Sequence, residues 1–525
     1  MFKQSMRAGS VFVPSLPQRR GGTLLTWPGL AIVGAAVGMA LVPPPYGALG
    51  MLIGLAAGTI LLRPELGLYL LVGVVPLHKT LGREVGSFTV APTEGVIALV
   101  IAGYLLRAAW QRALFGSVAP DEGASLAPAR APLPVLLPLL ILYGALLIST
   151  TGARDLALSV KELLKWTEVL AVYVVATQVL TPGRLRWLLA AALAAAAAEA
   201  LLGVAQFFLR IGPGHFLIAG VFMRAYGTFE QPNPYAGYLG LYLPLALLLA
   251  LHGRRWLGAK LRPAVIGLAL LLSFAMIATL SRGAWVGAAM AAGVLLLSTG
   301  RRGTLAVVAL ALAGLLAVAA GAAGVLPANL AERATSIVSS FVALRDIEDE
   351  EVNPTNFAVM ERLANWQTGW RMFLANPLLG VGIGNYNAAY RDYALPGWET
   401  ALGHAHNFYL NIAAEAGVIG LLAYVVFIGS ALRLGARTIG LLGRAPEPGS
   451  DLPDGLPRPL ARGIAVGLTA GLVAYATHNL FDSLFVSGMG ALLALHLAAL
   501  YTLCQYAWAF SAAGPLARHL LRRRA

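Results

Sequence analysis

The sequence predicts an all-α fold, a polytopic transmembrane helix bundle of about 12 to 14 spans with one large extracytoplasmic, partly helical loop. Three observations predict it. Apolar residues make up 58% of the chain and charged residues 12%, at a mean hydropathy of +0.73, whereas a soluble domain is about one quarter charged. The apolar residues gather in runs near the roughly 20 needed to cross a bilayer core about 30 Å thick. Lysine and arginine collect in alternate breaks between those runs, as they do in loops retained in the cytoplasm.

Taken in order, a basic start with Lys3, Arg7, Arg19 and Arg20 precedes the run 23–42. That run is too long for a cleaved signal peptide and lacks a clear small-residue cleavage site, so it reads as an uncleaved first span. The runs 48–62, 66–77, 95–106, 133–148, 163–180, 188–209, 234–251, 264–280, 283–297 and 304–325 follow, and 408–432, 464–476 and 488–507 close the series. Several are short, which leaves room for re-entrant or broken helices. The organisation is then a cytoplasmic segment (1–22), a transmembrane bundle (23–325), a large extracytoplasmic loop (326–405), transmembrane helices with the histidine motifs (406–510) and a basic cytoplasmic tail (511–525). Pro/Ala/Gly-rich stretches at 117–132 and 445–459 read as flexible inner loops. The one cysteine, Cys504, excludes an intrachain disulfide and any multi-cysteine metal site.

With the N-terminus inside, the breaks "RAAWQR", "TPGRLR", "HGRRWLGAKLR", "GRRG" and "RLGARTIGLLGR" and the tail "ARHLLRRRA" all fall on the cytoplasmic side, with both termini there. The net charge of +14 is therefore mostly topological. Basic residues spread over many short loops do not suggest nucleic acid. The same ladder puts the breaks near Arg224, Arg282, His404 and His478 outside, together with the long loop. In that loop Trp366, Trp370 and Phe373 form a stripe at helical spacing, expected of a helix lying on the interface or on the bundle, and "RDIEDEEVNP" reads as a solvated turn.

Basic residues on the outer side run against the bias that orients the chain, so each needs a reason beyond topology. Arg224 lies in "FMRAYGTFEQPNPYAGYLGLYLP" and Arg282 in "ATLSRGAWVG", at a tight junction between apolar runs. A lone arginine there can snorkel; two of them beside two histidine sites favour a shared anion. A diphosphate suits them, because a guanidinium presents a planar fork of donors and stays charged. A helix starting near Asn233 can add backbone donors. Lys161 and Lys165, four apart in "SVKELLKWTEVL", either line the approach or pair with Glu162 and Glu168.

Only eight histidines occur, and two of them stand in "HAHNFYLNIAAEAGVIGLL". His406, at the outer end of a span bearing Glu415, is placed to accept a proton from an incoming hydroxyl, since imidazole titrates near pH 6.5. His404 in the preceding loop shapes the turn or contacts substrate, and Asn407 is a further substrate contact. In "THNLFDSLF", His478 and Asp482 lie four apart and share a helix face, either as support for the site or as a structural hydrogen-bond pair. No Asp, Glu or Cys at ligand spacing completes a metal set around the histidines, so no metal or other cofactor is expected. "LLGVGIGNY" is not a nucleotide loop, because no βαβ unit surrounds it.

Four motifs in this order, "RAYGTFEQPNPYAGYL", "TLSRGAWVG", "NPLLGVGIGNY" followed by "HAHNFYLNIAAEAGVIG", and "THNLFDSLF", resemble the O-antigen ligase and O-antigen polymerase superfamily over about residues 223–485. The resemblance implies a metal-independent, inverting glycosyltransferase of GT-C type in a bacterial cytoplasmic membrane. Such an enzyme takes a glycan from undecaprenyl diphosphate and gives it to an acceptor sugar hydroxyl on a glycolipid or glycan at the outer face. Arg224 and Arg282 match arginines thought to hold the diphosphate, and His406 matches the proposed base; His404, Glu415, His478 and Asp482 are added as supporting residues. The competing class is a secondary transporter or lipid-linked sugar flippase, for which Glu94, Glu168 and Glu199 in or beside apolar runs speak.

Overall fold

The computed structural model describes residues 44–85, 88–115, 133–218, 220–322, 357–443 and 456–512. The expected first span at 23–42, the segments 1–22 and 513–525, the inner loops at 117–132 and 445–455 and the acidic run at 345–354 lie outside the described residues. The chain forms two units, residues 1–59 and 60–525. Within the first, residues 44–59 form most of the apolar helix α1 (Pro44–Leu62).

From there the second unit is helical almost throughout. It contains α2 (Pro64–Val74), α3 (Pro92–Phe115), α4 (Leu136–Ser149), α5 (Leu156–Val179), α6 (Pro182–Leu209), α7 (Pro232–His252), α8 (Arg254–Ala278), α9 (Arg282–Leu297) and α10 (Arg301–Ala322). After the undescribed part of the long loop come α11 (Phe357–Ala375), α12 (Tyr386–Tyr393), α13 (Phe408–Gly443), α14 (Arg458–His478) and α15 (Met489–Ala512). Every expected span from 48–62 onward is thus a helix. Seven of the helices are long and apolar enough to cross a membrane. Local chemistry explains the starts: Pro64, Pro92, Pro182 and Pro232 open helices where a missing N–H costs nothing, and the Asp155 side chain caps α5 by accepting from the amides of Ala157 and Leu158.

Three helices form the centre. The apolar stretches of α15, α7 and α14 are 83%, 78% and 72% buried, against 28% for those of α3 and α8. The outer helices turn Leu105, Leu140, Ile141, Leu270 and Ile277 outward, as lipid-facing spans do. Glycines let the central helices touch: a Cβ on Gly471 of α14 would strike the Leu241 carbonyl of α7 at 2.5 Å, and one on Gly287 of α9 the Ala474 carbonyl at 2.8 Å.

Successive helices run up and down, so the starts of α3, α5, α7, α9, α13 and α15 share one end with the finishes of α6, α8 and α14. The opposite end bears Arg107, Arg184, Arg262, Arg302, Arg437 and Arg462. Two short antiparallel hairpins were not foreseen: β1 (Arg83–Val85) with β2 (Phe88–Val90), and β3 (Leu217–Ile218) with β4 (Phe222–Met223). They are too short to carry an alternating pattern.

The glycine-rich segment "NPLLGVGIGN" has a mechanical task. α13 breaks at Gly417, whose φ is +63°, and the carbonyls freed above the break are taken by the segment: Val381 N donates to Ala414 O (3.0 Å) and Gly382 N to Glu415 O (2.9 Å). In return Val418 N donates to Pro377 O (2.8 Å). On its other side Asn385 Nδ2 donates to Ser159 Oγ (2.9 Å) and Asn385 Oδ1 accepts from Asp155 N (2.7 Å). The segment therefore fastens the start of α13 to α5. A Cβ at Gly417 would collide with the Leu378 carbonyl group, so Gly417→Ala is expected to cost about 1–3 kcal/mol. Thermal unfolding in detergent checks this against Gly429→Ala, a helical position with open space around it, which is expected to be neutral or slightly stabilising.

Candidate active site

At the shared end, three connections and one turn of α11 converge. Arg224 follows β4, and its backbone N–H closes the hairpin on Phe216 O (3.0 Å) while its Nε donates to Thr279 O (2.9 Å). The α8–α9 connection is only three residues long and turns at Leu280, which holds a left-handed φ of +53°. Such a conformation costs a non-glycine residue about 1–2 kcal/mol and marks functional sites more often than chance. Arg282 then occupies the first position of α9, behind Ser281, whose side chain accepts no capping hydrogen bond. Leu280, Ser281, Arg282 and Gly283 line the cleft, so a helix start, which favours anions, forms part of its wall. Gly283 lets α9 approach α14: a Cβ there would meet Phe481 Cβ at 2.7 Å and His478 Cδ2 at 3.1 Å.

Arg224, Arg282, Arg362, Asn233, Ser281 and His478 line a cleft of about 140 Å³. Arg362 is a residue that sequence reasoning missed. It lies on α11 in "ERLANWQTGW", where the aromatic stripe drew attention, although a third outer-side arginine was the same kind of signal as the first two. Its Nε is buried without a hydrogen-bond partner among the described residues. Burial pushes the Arg362 and Arg224 guanidiniums down from their ordinary range, and their mutual proximity and that of Arg282 push the same way, with Asp482 opposing. A guanidinium does not give up its proton, so the cleft is a concentration of positive charge awaiting an anion.

Beside the cleft stands a pair of histidines on one carboxylate. His406 Nδ1 lies 3.3 Å and His404 Nε2 3.8 Å from Asp482 Oδ1, and the two rings meet edge to face with centroids 4.5 Å apart. His404 Nδ1 accepts the His406 backbone N–H (3.1 Å), so the proton of the neutral His404 ring sits on Nε2, toward Asp482. Burial pushes the His404 ring down to about 4, which keeps it neutral at pH 7. Burial also acts to raise the Asp482 carboxyl, but the hydrogen bond from His406 and the three neighbouring histidines outweigh it and hold the group below the usual carboxylate range. An ionised Asp482 fixes the His406 proton on Nδ1, leaving Nε2 with the lone pair of a base.

Several contacts hold this pair in place. His406 itself has a left-handed φ of +50°, and its carbonyl accepts Trp366 Nε1 (3.2 Å). Asp482 Oδ2 accepts a hydrogen bond from Asn233 Nδ2, and Oδ1 accepts the Ser483 N–H (2.8 Å). Asn233, a wall of the arginine cleft, thereby joins cleft and carboxylate. Phe408 N donates to the carbonyls of both Asn479 (2.8 Å) and Asp482 (3.2 Å), tying the start of α13 to the end of α14. His478 Nε2 is 3.4 Å from Ser281 Oγ.

The structure thus brings Arg224, Arg282, His404, His406, His478 and Asp482 together. Others lie elsewhere. Asn407 caps α13, its Oδ1 accepting Leu410 N (3.1 Å), and Asn233 contributes its side chain to Asp482 where free backbone donors were expected. Glu415 accepts the Tyr386 amide (2.9 Å) and so belongs to the glycine-rich segment's docking. Lys165 pairs with Glu162, and Lys161 and Lys165 line a separate pocket. Trp370 of the aromatic stripe is exposed, and the buried face of α11 is instead Ala364, Asn365, Thr368 and Met372. One expectation needs correction: a carboxylate does complete a donor set with the histidines. His404, His406 and Asp482 offer three ligand atoms within 4.8 Å of one another. Ligand spacing could not reveal it, because Asp482 is 76 residues from His406.

The helical membrane bundle thus carries, at one end, a cleft lined by three arginines beside an Asp–His pair. Comparison with known families matches residues 267–425 to the O-antigen ligase family. With its membrane-spanning helices the chain is of the O-antigen ligase/polymerase type of membrane glycosyltransferase. The matched segment contains Arg282, Arg362, His404 and His406, while Arg224, His478 and Asp482 flank it. Comparison with curated proteins finds no match.

Proposed function

We propose that this chain transfers a glycan from an undecaprenyl diphosphate carrier to an acceptor sugar hydroxyl, without a metal ion, at the extracytoplasmic face of a bacterial cytoplasmic membrane. The observation that carries the reading is the cleft of three guanidiniums abutting the Asp482–His406 pair. In this mechanism His406 Nε2 takes the proton of the acceptor hydroxyl as its oxygen bonds to the anomeric carbon. The bond from that carbon to the diphosphate oxygen breaks on the opposite face, its electron pair leaving with the diphosphate and the configuration inverting. Arg224, Arg282 and Arg362 offset the charge that develops there, and preorganised donors in a site shielded from water do this without reorganising.

The three-atom donor set suits a cation poorly. Asp482 already accepts hydrogen bonds on both oxygens, and the charges of Arg224 and Arg362 act on the same carboxylate, so a divalent ion adds charge where positive charge is already in excess. The basic opposite end of the bundle supports an extracytoplasmic site. Reconstitution in liposomes with a lipid-linked oligosaccharide, offered a lipid A core or a second carrier-linked repeat, tests the reading. Transfer to one acceptor is expected, unchanged by EDTA; inhibition by EDTA that a divalent ion restores refutes the metal-free mechanism.

A further inference from the structure

The second pocket, of about 430 Å³, lies between the starts of α3, α5 and α15. Ionisable side chains stand out in its largely apolar wall. Glu94 and Glu168 face it with Lys161, Lys165 and His78, and the Phe485 ring forms part of its wall. Ionisable groups in a membrane interior are costly and usually functional. Carboxylates and ammoniums together offer the acceptors and donors that sugar hydroxyls need, each hydroxyl doing both. Glu199, another carboxylate within a span, does not line this pocket and is occupied by Thr228, whose N–H and Oγ1 it accepts at 3.0 and 2.9 Å.

The pocket adjoins the base. Asp482 and Phe485 belong to the same short connection between α14 and α15, so one end of it holds His406 while the other lines the pocket. Phe485 packs against Phe408, two residues after His406, with centroids 5.7 Å apart, and Lys165 Nζ lies 5.4 Å from the Phe485 ring centroid. The chain turns away beyond it through Ser487 and Gly488, both at positive φ. An acceptor held here reaches His406 without entering the arginine cleft.

We propose that this pocket binds the acceptor saccharide, with Glu94, Glu168, Lys161 and Lys165 taking its hydroxyls, so that donor and acceptor occupy separate sites that meet at His406. The proposal rests on the glycan-transfer reading for its second half only. The experiment uses the full chain in nanodiscs and two probes measured separately: undecaprenyl diphosphate, and the soluble core oligosaccharide of a lipopolysaccharide. Glu168→Gln, Lys161→Met and Ser487→Trp are expected to weaken oligosaccharide binding 10-fold or more. Retained undecaprenyl diphosphate binding, expected of all three, also shows that they are folded. In transfer assays the KM for acceptor should rise while the KM for donor holds. Loss of undecaprenyl diphosphate binding in variants that keep the wild-type thermal unfolding transition makes the pocket part of the donor site, and unchanged oligosaccharide binding leaves it without a saccharide; either result overturns the proposal. If the wild type fails to bind undecaprenyl diphosphate but binds the oligosaccharide in a way these variants lose, the donor reading fails and the saccharide site stands.

Discussion

Arg282→Lys is expected to insert into the membrane at wild-type levels and to lose about 10² to 10³ in the rate of glycan transfer, the cost of one preorganised donor at a developing oxyanion. The substitution keeps the charge. What it removes is the planar fork, and lysine, a compact point charge on a flexible stem, does not restore two parallel hydrogen bonds to adjacent phosphate oxygens. Arg282 stands at the first position of α9, where the helix fixes the root of its side chain at the wall of the cleft. Turnover and undecaprenyl diphosphate affinity measured on one preparation separate a loss in kcat from a loss in binding. Wild-type turnover would exclude a diphosphate clamp at this residue.

His406→Ala is expected to lower transfer by about 10² to 10⁴, the usual contribution of a positioned base, with undecaprenyl diphosphate affinity retained because the arginine cleft is intact. Loss of carrier binding along with turnover would assign the ring to binding rather than proton transfer.

The spans were legible because the bilayer imposes a length and a composition that a single sequence displays directly. Arg224 and Arg282 were legible for a related reason: each violates the charge bias that orients the chain, and a violation stands out locally. Arg362 violates it too, but it sits in a helix whose aromatic residues suggested an interfacial role, and two of those aromatics turned out to be peripheral to the site. The bond between His406 and Asp482 was out of reach, since nothing in either motif marks a partner 76 residues away. For the same reason the sequence left the lysines of α5 between lining the diphosphate's approach and pairing with Glu162 and Glu168: spacing along a helix tells which residues share a face, not which cavity that face borders. The glycine-rich segment could be excluded as a nucleotide loop by context, yet its engagement of the broken α13 depends on backbone carbonyls that only a kink exposes.

That kink makes the segment 377–385 a remote support of the site. His406 stands on the chain just ahead of α13, whose opening turns are fastened to α5 by that segment and to the end of α14 through Phe408 N. Linker insertions at 377–385 are therefore expected to loosen one of two anchors that position His406, lowering both the unfolding temperature and glycan transfer.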